Sequence, residues 1–558
     1  MRGAVNPRPE GGTVRQTTLC VPLEVKPESC ARLTRLIDDF RTHVDNSQTS
    51  YGLISTEVPA LHFMSMSVFL HHDYDPIFIL EANFDGPAGP LWDRLEATFG
   101  GELREMLRCC KRPLDDDAPL YDSVAAQQSP GSIARYFEAR TQRPSVFHHG
   151  NRGLDRDRIL SDEALFRQLR QTIDGPAGAS PYRGISAEDA RRALRAAVLP
   201  QFPWLDEKRP TRIGLAESIT DLSRLLLYAA VLLLVLSLPG LILAPLLPTR
   251  PYLILMLGAA LLIMLLVANA RHGLPGTEVP AAFPWSMFKP RFVLLFLLAV
   301  AVYVGLATVL LIPVVFAASH LLAWLGVGVP LAVEETWRPV ARTVGLGLVA
   351  LAVMVPLLLL RIRYLERRDS SIDEPQLDDR ILREMIRRED WIVQNHMGSI
   401  VLIKPGVLRT IIIRAGHFGL GLVLRVTARS GYLGSMRTVH FAHWAFLNNG
   451  SRLLFLSNYD HSWGSYLDDF IEKAANGLTI AWGSGVGFPP ARFLILDGAA
   501  HGRQFKNWAL ASRAVSRFWY SAYRDLTVDQ IERNHRIANG LRHQRLSEAK
   551  AEQWMRDL

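Results

Sequence analysis

Four long apolar stretches in the middle of the chain constrain its architecture more than any other feature. They cover residues 225–247, 252–270, 292–318 and 344–360 of the 558, and none contains Asp, Glu, Lys or Arg. A helix needs about 20 apolar residues to cross the hydrocarbon core of a bilayer. The sequence therefore predicts an all-α transmembrane region of about four helices over 221–362. Transporters and channels usually carry charged residues within their spans, so we interpret these spans as an anchor.

The charges near the span ends predict the orientation of the anchor. Lys and Arg side chains number eleven on one side and three on the other. The larger group is Lys208, Arg209, Arg212, Arg224, Arg271, Lys289, Arg291, Arg361, Arg363, Arg367 and Arg368, and the smaller is Arg250, Arg338 and Arg342. Since Lys and Arg are retained on the cytoplasmic side, we expect a multi-pass inner-membrane protein of the bacterial type with both termini and both soluble parts in the cytoplasm. Much of the net charge of +8 belongs to this signal, and no motif predicts a nucleic-acid partner.

A second feature is a pattern that occurs once on each side of the anchor. The first copy contains Leu61-His62-Phe63 and Asn83-Phe84-Asp85, and the second contains Val439-His440-Phe441 and Asn458-Tyr459-Asp460. His62 and His440 are 378 positions apart, as are Lys26 and Lys404, whereas Asn83 and Asn458 are 375 apart. The difference falls in the hairpin turn, which is shorter in the second copy. Landmarks that repeat at one spacing predict an internal duplication.

The order of elements in each copy predicts the fold class. A strand, an amphipathic helix, two strands and a second helix follow one another, and one more strand completes the βαββαβ ferredoxin-like unit. Arg492–Leu496 is the candidate for that strand in the second copy. We therefore predict an α+β chain in which two ferredoxin-like units pack on each other. The predicted boundaries are 1–17 for a disordered leader, 18–112 for the first unit, 113–220 for a helical and loop elaboration, 363–397 for a connector, 398–524 for the second unit and 525–558 for a helical tail.

The first helix of the second unit is apolar enough to raise the question of a fifth span. It carries Ile411-Ile412-Ile413 and Phe418, but it is interrupted by Arg409, Arg414 and Arg425. A fifth span would move the second unit to the opposite side of the membrane from the first. We therefore expect this helix to lie at the membrane surface or under the sheet.

Polar residues inside the repeated hairpins are the candidates for catalysis. Asn83 and Asp85 of the first copy match Asn458 and Asp460 of the second, where an outgoing strand meets a helix. In a structural interpretation the aspartates cap helices or close Asx turns. In a functional interpretation these four side chains point into a cavity between the units.

Histidine and arginine side chains complete the candidate set. His62 and His440 precede Phe at matching positions, and this recurrence raises them above an ordinary structural histidine. His443, three residues after His440, is expected on the opposite face of its strand. Arg492 follows the glycine-rich residues 483–487, which lack the Lys-Ser/Thr of a phosphate-binding loop. We interpret that segment as a loop at the mouth of a pocket.

Neither a metal site nor a disulfide is predicted. The four cysteines, Cys20, Cys30, Cys109 and Cys110, include no C-x-x-C spacing, which indicates reduced thiols. His71-His72 with Asp73 and Asp75 falls at a hairpin tip, where a solvated turn is favoured over a metal site.

Two ferredoxin-like units in one chain resemble the dimeric α/β-barrel architecture of dye-decolourising haem peroxidases and their chlorite-dismutase-like relatives. Asn83-Phe84-Asp85-Gly86 is similar to the aspartate-glycine of the peroxidase G-x-x-D-G motif, although the leading glycine is missing and the second copy has Asp460-His461. The resemblance implies haem with an axial histidine, for which His440 or His443 is the candidate. It implies a membrane-anchored oxidoreductase that acts on an apolar substrate. The alternative is a non-catalytic sensor or scaffold that binds a small ligand at the membrane.

Overall fold

The computed structural model describes most of the chain. The described residues are 15–45, 50–71, 74–126, 132–175, 182, 184–207, 212–270, 289–369, 371, 383, 387, 389, 393–428, 431, 433 and 436–558. Some sequence predictions fall outside them: nearly all of the leader, most of the connector, the charges of Lys208, Arg209 and Arg271, and the residues His72 and Asp73.

The chain is a mixed α+β structure with antiparallel sheets. Its strands are β1 (Gln16–Glu24), β2 (Leu61–Phe69), β3 (Ile77–Asp85), β4 (Val146–His149), β5 (Gln394–Leu402), β6 (Val439–Leu447), β7 (Arg452–Asp460), β8 (Ala491–Arg492), β9 (Leu496–Asp497), β10 (Arg513–Ala514) and β11 (Phe518–Ser521). The helices before the anchor are α1 (Cys30–Asp45), α2 (Ser50–Glu57), α3 (Ala88–Arg108), α4 (Ala118–Ala125), α5 (Ser132–Arg140), α6 (Arg156–Ile173) and α7 (Ala187–Val198). The anchor holds α8 (Leu215–Leu243), α9 (Thr249–Ala270), α10 (Pro290–Trp324) and α11 (Trp337–Arg367). After it come α12 (Val407–Thr427), α13 (Trp463–Trp482), α14 (Gly502–Ala511), α15 (Val528–Arg542) and α16 (Glu548–Met555).

The two main sheets exchange an edge strand. The first has the order β1-β3-β2-β11 and the second the order β10-β5-β7-β6-β4. Thus β11, from near the C-terminus, pairs with β2, and β4, which precedes the anchor, pairs with β6. The predicted boundaries divide the chain by sequence position. They therefore group β4 with the first unit, as part of its elaboration, and β11 with the second, although each strand belongs to the sheet of the other unit. Pairing across the anchor depends on the tertiary structure.

The two main sheets share details of strand pairing at matching places. Gln16 pairs with Asp85 and Gln394 pairs with Asp460 at the same end of each sheet. A bulge follows Leu61 in β2, and another follows Val439 in β6. The two bulges are 378 positions apart, the spacing that separates His62 from His440.

The fourth strand of each predicted βαββαβ unit differs from expectation. In the second sheet β10 takes this place beside β5. The predicted strand Arg492–Leu496 instead contributes to a separate two-stranded sheet of β8 and β9, which turns back at Phe493 and Leu494 with positive φ. In the first sheet, the described residues beside β1 form only isolated bridges, such as Cys20 with Gln142.

The sheets lie face to face with helices on their outer sides. Along β3, Phe78, Leu80 and Phe84 pack outward in the first hydrophobic core, and Ile77 and Ile79 pack toward the other sheet. This alternation is the period of two expected of a strand buried on both faces. Burying each such side chain contributes about 1.5–3 kcal/mol. The outer core of the second sheet is built in the same way with α12, α13 and α14.

Among the described residues, five helices are long and apolar enough to cross a membrane, namely the four of the anchor and α12. Two tyrosines within the anchor are hydrogen-bonded inside it. The Tyr252 hydroxyl donates to the Leu346 carbonyl at 3.0 Å, and the Tyr303 hydroxyl donates to Ser237 Oγ at 3.1 Å. Such bonds are favoured in lipid because no water is present to satisfy these groups.

Helix α12 belongs to the second unit and also contacts the anchor. His417 Nε2 donates to the Ala481 carbonyl at 3.0 Å, which joins α12 to α13. On its other side the Tyr228 hydroxyl of α8 donates to the Ala415 carbonyl at 2.5 Å. Val407 and Ile411 remain 79% and 59% exposed on one side of the helix. This placement agrees with the alternative of a helix packed under the sheet, since a spanning helix would have to leave the core of the second unit.

The close approach of the two sheets gives a stability prediction at Gly398. A Cβ at this residue would lie 2.7 Å from Phe69 of the other sheet and 2.9 Å from Leu456. We expect Gly398→Val to reduce the free energy of unfolding by about 1–3 kcal/mol, because the added atoms overpack the interface. The measurement is thermal and denaturant unfolding of the detergent-solubilised full chain. Gly101→Ala, in a helical position with open space around it, is the control and should cause no loss. Equal stability of the Gly398→Val variant and the parent would contradict the tight inter-sheet contact.

Candidate functional site

The space between the two sheets changes in character along the strands. At the hairpin tips it is apolar, with Cys20, Phe69, Ile79, Leu454 and Leu456. At the opposite end it is aromatic, and Phe63 of one sheet lies 5.5 Å from Phe441 of the other between ring centroids. Most predicted catalytic residues lie at or near this aromatic end, where their side chains are enclosed.

His62 and Asp85 form one buried pair at this end. His62 Nε2 lies 3.0 Å from Asp85 Oδ2, and His62 Nδ1 lies 2.9 Å from the Tyr523 hydroxyl. The same carboxylate oxygen accepts a hydrogen bond from the backbone N–H of Arg156 at 2.9 Å. Arg156 is the first residue of α6, which follows the exchanged strand β4. Asp85 therefore interacts with the N-terminus of α6, where a negative charge is favoured by the helix dipole.

His440 and Asp460 repeat this arrangement in the second unit. His440 Nε2 is hydrogen-bonded to Asp460 Oδ1 at 2.7 Å. The other carboxylate oxygen accepts from the backbone N–H of Val528 at 2.8 Å, at the start of α15 after the exchanged strand β11. Both aspartates thus have a capping role, but not on the helix that follows them in sequence. Strand exchange brings a distant helix to each of them, which sequence proximity could not indicate.

The orientation of His443 differs from the sequence expectation. The bulge between Val439 and Phe441 turns His440 toward the space between the sheets, and His443 points there as well. Regular alternation places residues three apart on opposite faces, but the extra residue of a bulge shifts the alternation by one.

The two predicted asparagines are buried, with different partners. Asn83 Oδ1 accepts from the Thr18 hydroxyl at 2.8 Å, and its Nδ2 donates to Glu81 at 3.0 Å. Asn458 Oδ1 accepts from the indole N–H of Trp519 at 2.8 Å, while its Nδ2 has no hydrogen-bond partner among the described residues.

Arg492 lies apart from the other predicted site residues. Its guanidinium donates to both carboxylate oxygens of Asp497 at 2.5 and 3.0 Å within the small β8–β9 sheet. This bidentate pair holds a hairpin close to the end of α11, where Arg363 donates to the Ala491 carbonyl at 3.1 Å. The geometry gives Arg492 a positioning role in this hairpin.

A polar cluster that the sequence analysis missed occupies the middle of the inter-sheet space. Glu81 Oε2 is hydrogen-bonded to His396 Nε2 of the other sheet at 2.8 Å and accepts from the Ser65 hydroxyl at 3.0 Å. His443 Nδ1 lies 3.5 Å from the other carboxylate oxygen. The signal was a charged residue, Glu81, directly after the apolar run Ile77-Phe78-Ile79-Leu80 in the middle of a strand. Burying a carboxylate costs several kcal/mol unless it is paired, so this residue required a partner from elsewhere in the chain.

Burial and charge shift the pKa values of this cluster. Burial would raise the pKa of Glu81, but the charge and hydrogen bond of His396, with smaller contributions from His443 and Asn83, lower it to about 2. Burial lowers the pKa of His443 to about 4, although Glu81 opposes the shift. Glu81 is therefore an anion and His443 a neutral imidazole at pH 7.

The surroundings of His440 and His443 do not fit a haem group. His440 is 1% exposed, and its ring packs against Phe63 and Tyr523 with centroids 5.4 and 6.1 Å apart. His443 is fully buried beside Glu81. An axial histidine needs an open space on the side of its ligating nitrogen, and both imidazoles are instead buried inside the fold. Among the described residues, no group of three or more His, Cys, Asp or Glu side chains is arranged to hold a metal ion.

A cavity of about 530 Å³ lies outside the inter-sheet space, where the anchor meets the second unit. Its lining comes from the end of α11, the start of α12, the glycine-rich segment and α14: Ile362, Leu365, Glu366, Asp369, Ser371, Lys404, Arg409, Ile412, Gly483, Ser484, Gly487, Phe488, Pro489, Pro490, Ala491, Leu494, Gln504, Asn507 and Trp508. The glycine-rich segment thus lies at a pocket, as expected. Several of its N–H groups bond to protein carbonyls, such as Val486 to Leu402 and Gly487 to Ser371. It therefore forms a wall of the cavity and lacks the free N–H groups of a phosphate loop.

Comparisons with protein-family models, curated proteins and solved structures found no match to this chain. The function of the chain is therefore inferred from the geometry of the inter-sheet clusters and of the cavity at the anchor.

The first prediction from this geometry concerns Asp460. Asp460→Asn keeps the size of the side chain but removes the charge that His440 and the N-terminus of α15 share. We expect the free energy of unfolding to fall by about 1–3 kcal/mol, the usual cost of weakening a buried charged hydrogen bond. Unfolding of the full chain in detergent checks this value, with the exposed Asp468→Asn as the control. A variant as stable as the parent would contradict the capping role.

The second prediction concerns pH. Burial lowers the pKa of His148 and of His443 from 6.5 to about 4, so between these values the unfolded chain binds more protons than the folded chain. Stability should therefore fall as pH falls from 6.5 toward 4, and Glu81 should extend the loss from pH 4.5 toward 2. His443→Leu should flatten the dependence between pH 6.5 and 4 by up to about 1.4 kcal/mol per pH unit. Unfolding measured across this range tests the effect, and the exposed His543→Leu should leave the slope unchanged.

Proposed function

We propose that this chain is a membrane-anchored ligand-binding module without a catalytic centre between its sheets. In this proposal the anchor holds two paired α+β units on the cytoplasmic face of a bacterial inner membrane. The ligand occupies the cavity between α11, α12 and the glycine-rich segment. The buried His–Asp pairs stabilise the pairing of the units.

The main support for the proposal is a contrast between two regions: the polar residues between the sheets are buried, whereas the cavity at the anchor is accessible and has polar groups in its lining. His62, Asn83, His440, Asn458 and Asp460 are almost fully buried, and most of their hydrogen bonds join them to other parts of the fold. A catalytic residue must reach a substrate, so such enclosure favours a structural role. The cavity at the anchor, by contrast, has a volume typical of small-molecule sites and combines apolar walls with a few charged groups.

Lys and Arg residues around the anchor support the proposed orientation. Arg361, Arg363, Arg367 and Arg368 follow the last span, and the second unit contacts the helix ends on that side. Because the units exchange strands, they must occupy the same compartment. The positive-inside rule then favours the cytoplasm.

The deciding experiment combines absorption spectroscopy and native mass spectrometry on the full chain, extracted in mild detergent from haem-replete cells. We expect no Soret band and a bound small-molecule adduct. Ser484→Trp, which fills the cavity, should reduce the adduct by at least about tenfold, since the indole occupies the binding volume. The same substitution at the exposed Ser465 is the matched control and should retain the adduct.

Two results would overturn the proposal. One is a Soret band that His440→Ala or His443→Ala abolishes, which would establish the haem-peroxidase-like hypothesis. The other is an adduct that survives Ser484→Trp unchanged, or the absence of any adduct from the parent chain.

A further inference from the structure

The cavity at the anchor combines three properties that together specify a class of ligand. It lies at the height of the membrane surface, one of its sides is apolar, and its charged side carries an excess of positive charge. We propose that it binds the head group of an anionic phospholipid, whose acyl chains extend into the bilayer beside α11 and α12. This inference rests on the proposed function and names the ligand of that site.

The position of the cavity follows from the end of α11. Residues 344–360 form the predicted span, and Ile362 and Leu365, which line the cavity, come within the next five residues. Arg361, Arg367 and Arg368 surround them in sequence. Arginines just beyond a span lie at the level of the lipid head groups. The cavity therefore opens at the depth where phosphate groups are found.

The apolar side of the cavity continues onto a surface that faces the lipid. Ile412, Phe488 and Trp508 line the cavity. Val407 and Ile411, one and a half turns of α12 or less away from Ile412, are largely exposed to the outside. Because an exposed apolar stripe next to membrane helices is stable only in contact with lipid, it provides a path along which acyl chains can leave the cavity.

The charged side of the cavity has two cations, Lys404 and Arg409, beside one carboxylate, that of Asp369. Lys404 Nζ lies 2.5 Å from Asp369 Oδ2, and the Arg409 guanidinium lies 3.9 Å from the same oxygen. Burial would raise the pKa of Asp369, but hydrogen bonds from Lys404 and Ser371 lower it, so the carboxylate is ionised. Among the described residues, one positive charge of this group remains without a counter-ion.

The other acid in the lining does not compensate this charge. Glu366 is paired with Arg363 at 3.1 Å and accepts from the backbone N–H groups of Phe493 and Leu494 at 3.0 and 2.8 Å. Arg409 is the cation farther from Asp369 and its side chain is 23% exposed, and a partly buried excess cation is costly unless an anion approaches it. A phosphodiester carries a single negative charge, and arginine binds such oxygens with two donors at once.

The size of the cavity fits a head group and the start of the chains. A volume of about 530 Å³ lies within the range of small-molecule sites. The rest of a phospholipid must therefore remain outside, along the exposed side of α12. A soluble phosphate compound would leave the apolar wall in contact with water, which favours the lipid as the occupant.

Lipid competition on the full chain tests the inference. The detergent-purified protein is incubated with equal amounts of dioleoyl phosphatidylglycerol and dioleoyl phosphatidylcholine, and bound lipid is counted by native mass spectrometry. We expect one phosphatidylglycerol per chain with about a fivefold or greater preference over phosphatidylcholine. Arg409→Gln should reduce phosphatidylglycerol binding by about fivefold, because one basic residue near a membrane surface contributes about that factor.

Arg414→Gln provides the matched control. It removes the same charge from the same helix, but Arg414 donates to the Asn449 carbonyl at 3.0 Å and does not line the cavity. This variant should bind phosphatidylglycerol as the parent does. Ile412→Trp fills the cavity without changing its charge, and it should remove the preference as well. Circular dichroism and gel filtration establish that each variant is folded.

Each alternative result contradicts the inference in a recognisable way. Equal binding of the two lipids, or equal loss in Arg409→Gln and Arg414→Gln, excludes a specific anionic site. Displacement of the adduct by sn-glycerol 3-phosphate at the same concentration as the lipid would identify a soluble ligand. In that case, or if a non-lipid adduct is lost in Ser484→Trp, the lipid inference fails while the proposed binding function stands.

Discussion

The exchange of edge strands between the two sheets is the constraint on which the rest of this structure depends. Strand β4 leaves the first half of the chain to join the second sheet, and β11 makes the reverse crossing. The helix that follows β4, α6, places its N-terminus at Asp85. The helix that follows β11, α15, places its N-terminus at Asp460. The negative charge and the helix dipole attract each other, and the histidine beside each aspartate completes the buried pair. Each sheet therefore contains one edge strand from the other half of the chain.

This exchange also fixes how the anchor is held. The apolar helices of the anchor follow the first unit in sequence and precede the second, and the second unit contacts both the first and the last of them. Tyr228 of α8 is bonded to α12, and Arg363 of α11 is bonded to the β8–β9 hairpin. The anchor and the soluble body are thus joined through hydrogen bonds as well as through the chain itself. The cavity lies at one of these junctions, where an occupant would contact both parts.

The two halves agree at the ends of their inner strands and differ in the middle. Gln16, Asn83 and Asp85 correspond to Gln394, Asn458 and Asp460. At the centre, Glu81 of the first sheet faces His396 and His443 of the second. Pairing one carboxylate with imidazoles of the other sheet favours one register between the halves, since a slip would leave a buried charge without a partner. The same pairing lowers the stability of the fold in acid, because the buried groups have lowered pKa values and the unfolded chain therefore binds more protons than the folded chain.

The sequence by itself determined the apolar helices, the repeated hairpins and most of the strands, because hydrophobic periodicity and chain length are local properties. It indicated that Asp85 and Asp460, and likewise His62 and His440, occupy matching positions in the two copies. Only the tertiary structure decided which partners they have, since the helices that they cap lie 68 and 71 residues away in sequence. The bulge that turns His440 inward, the partners of Glu81 and the detached hairpin of Arg492 were likewise decided by contacts between distant segments. A sequence pattern reports which residues are buried, but the energy of a buried charge depends on which group is brought against it.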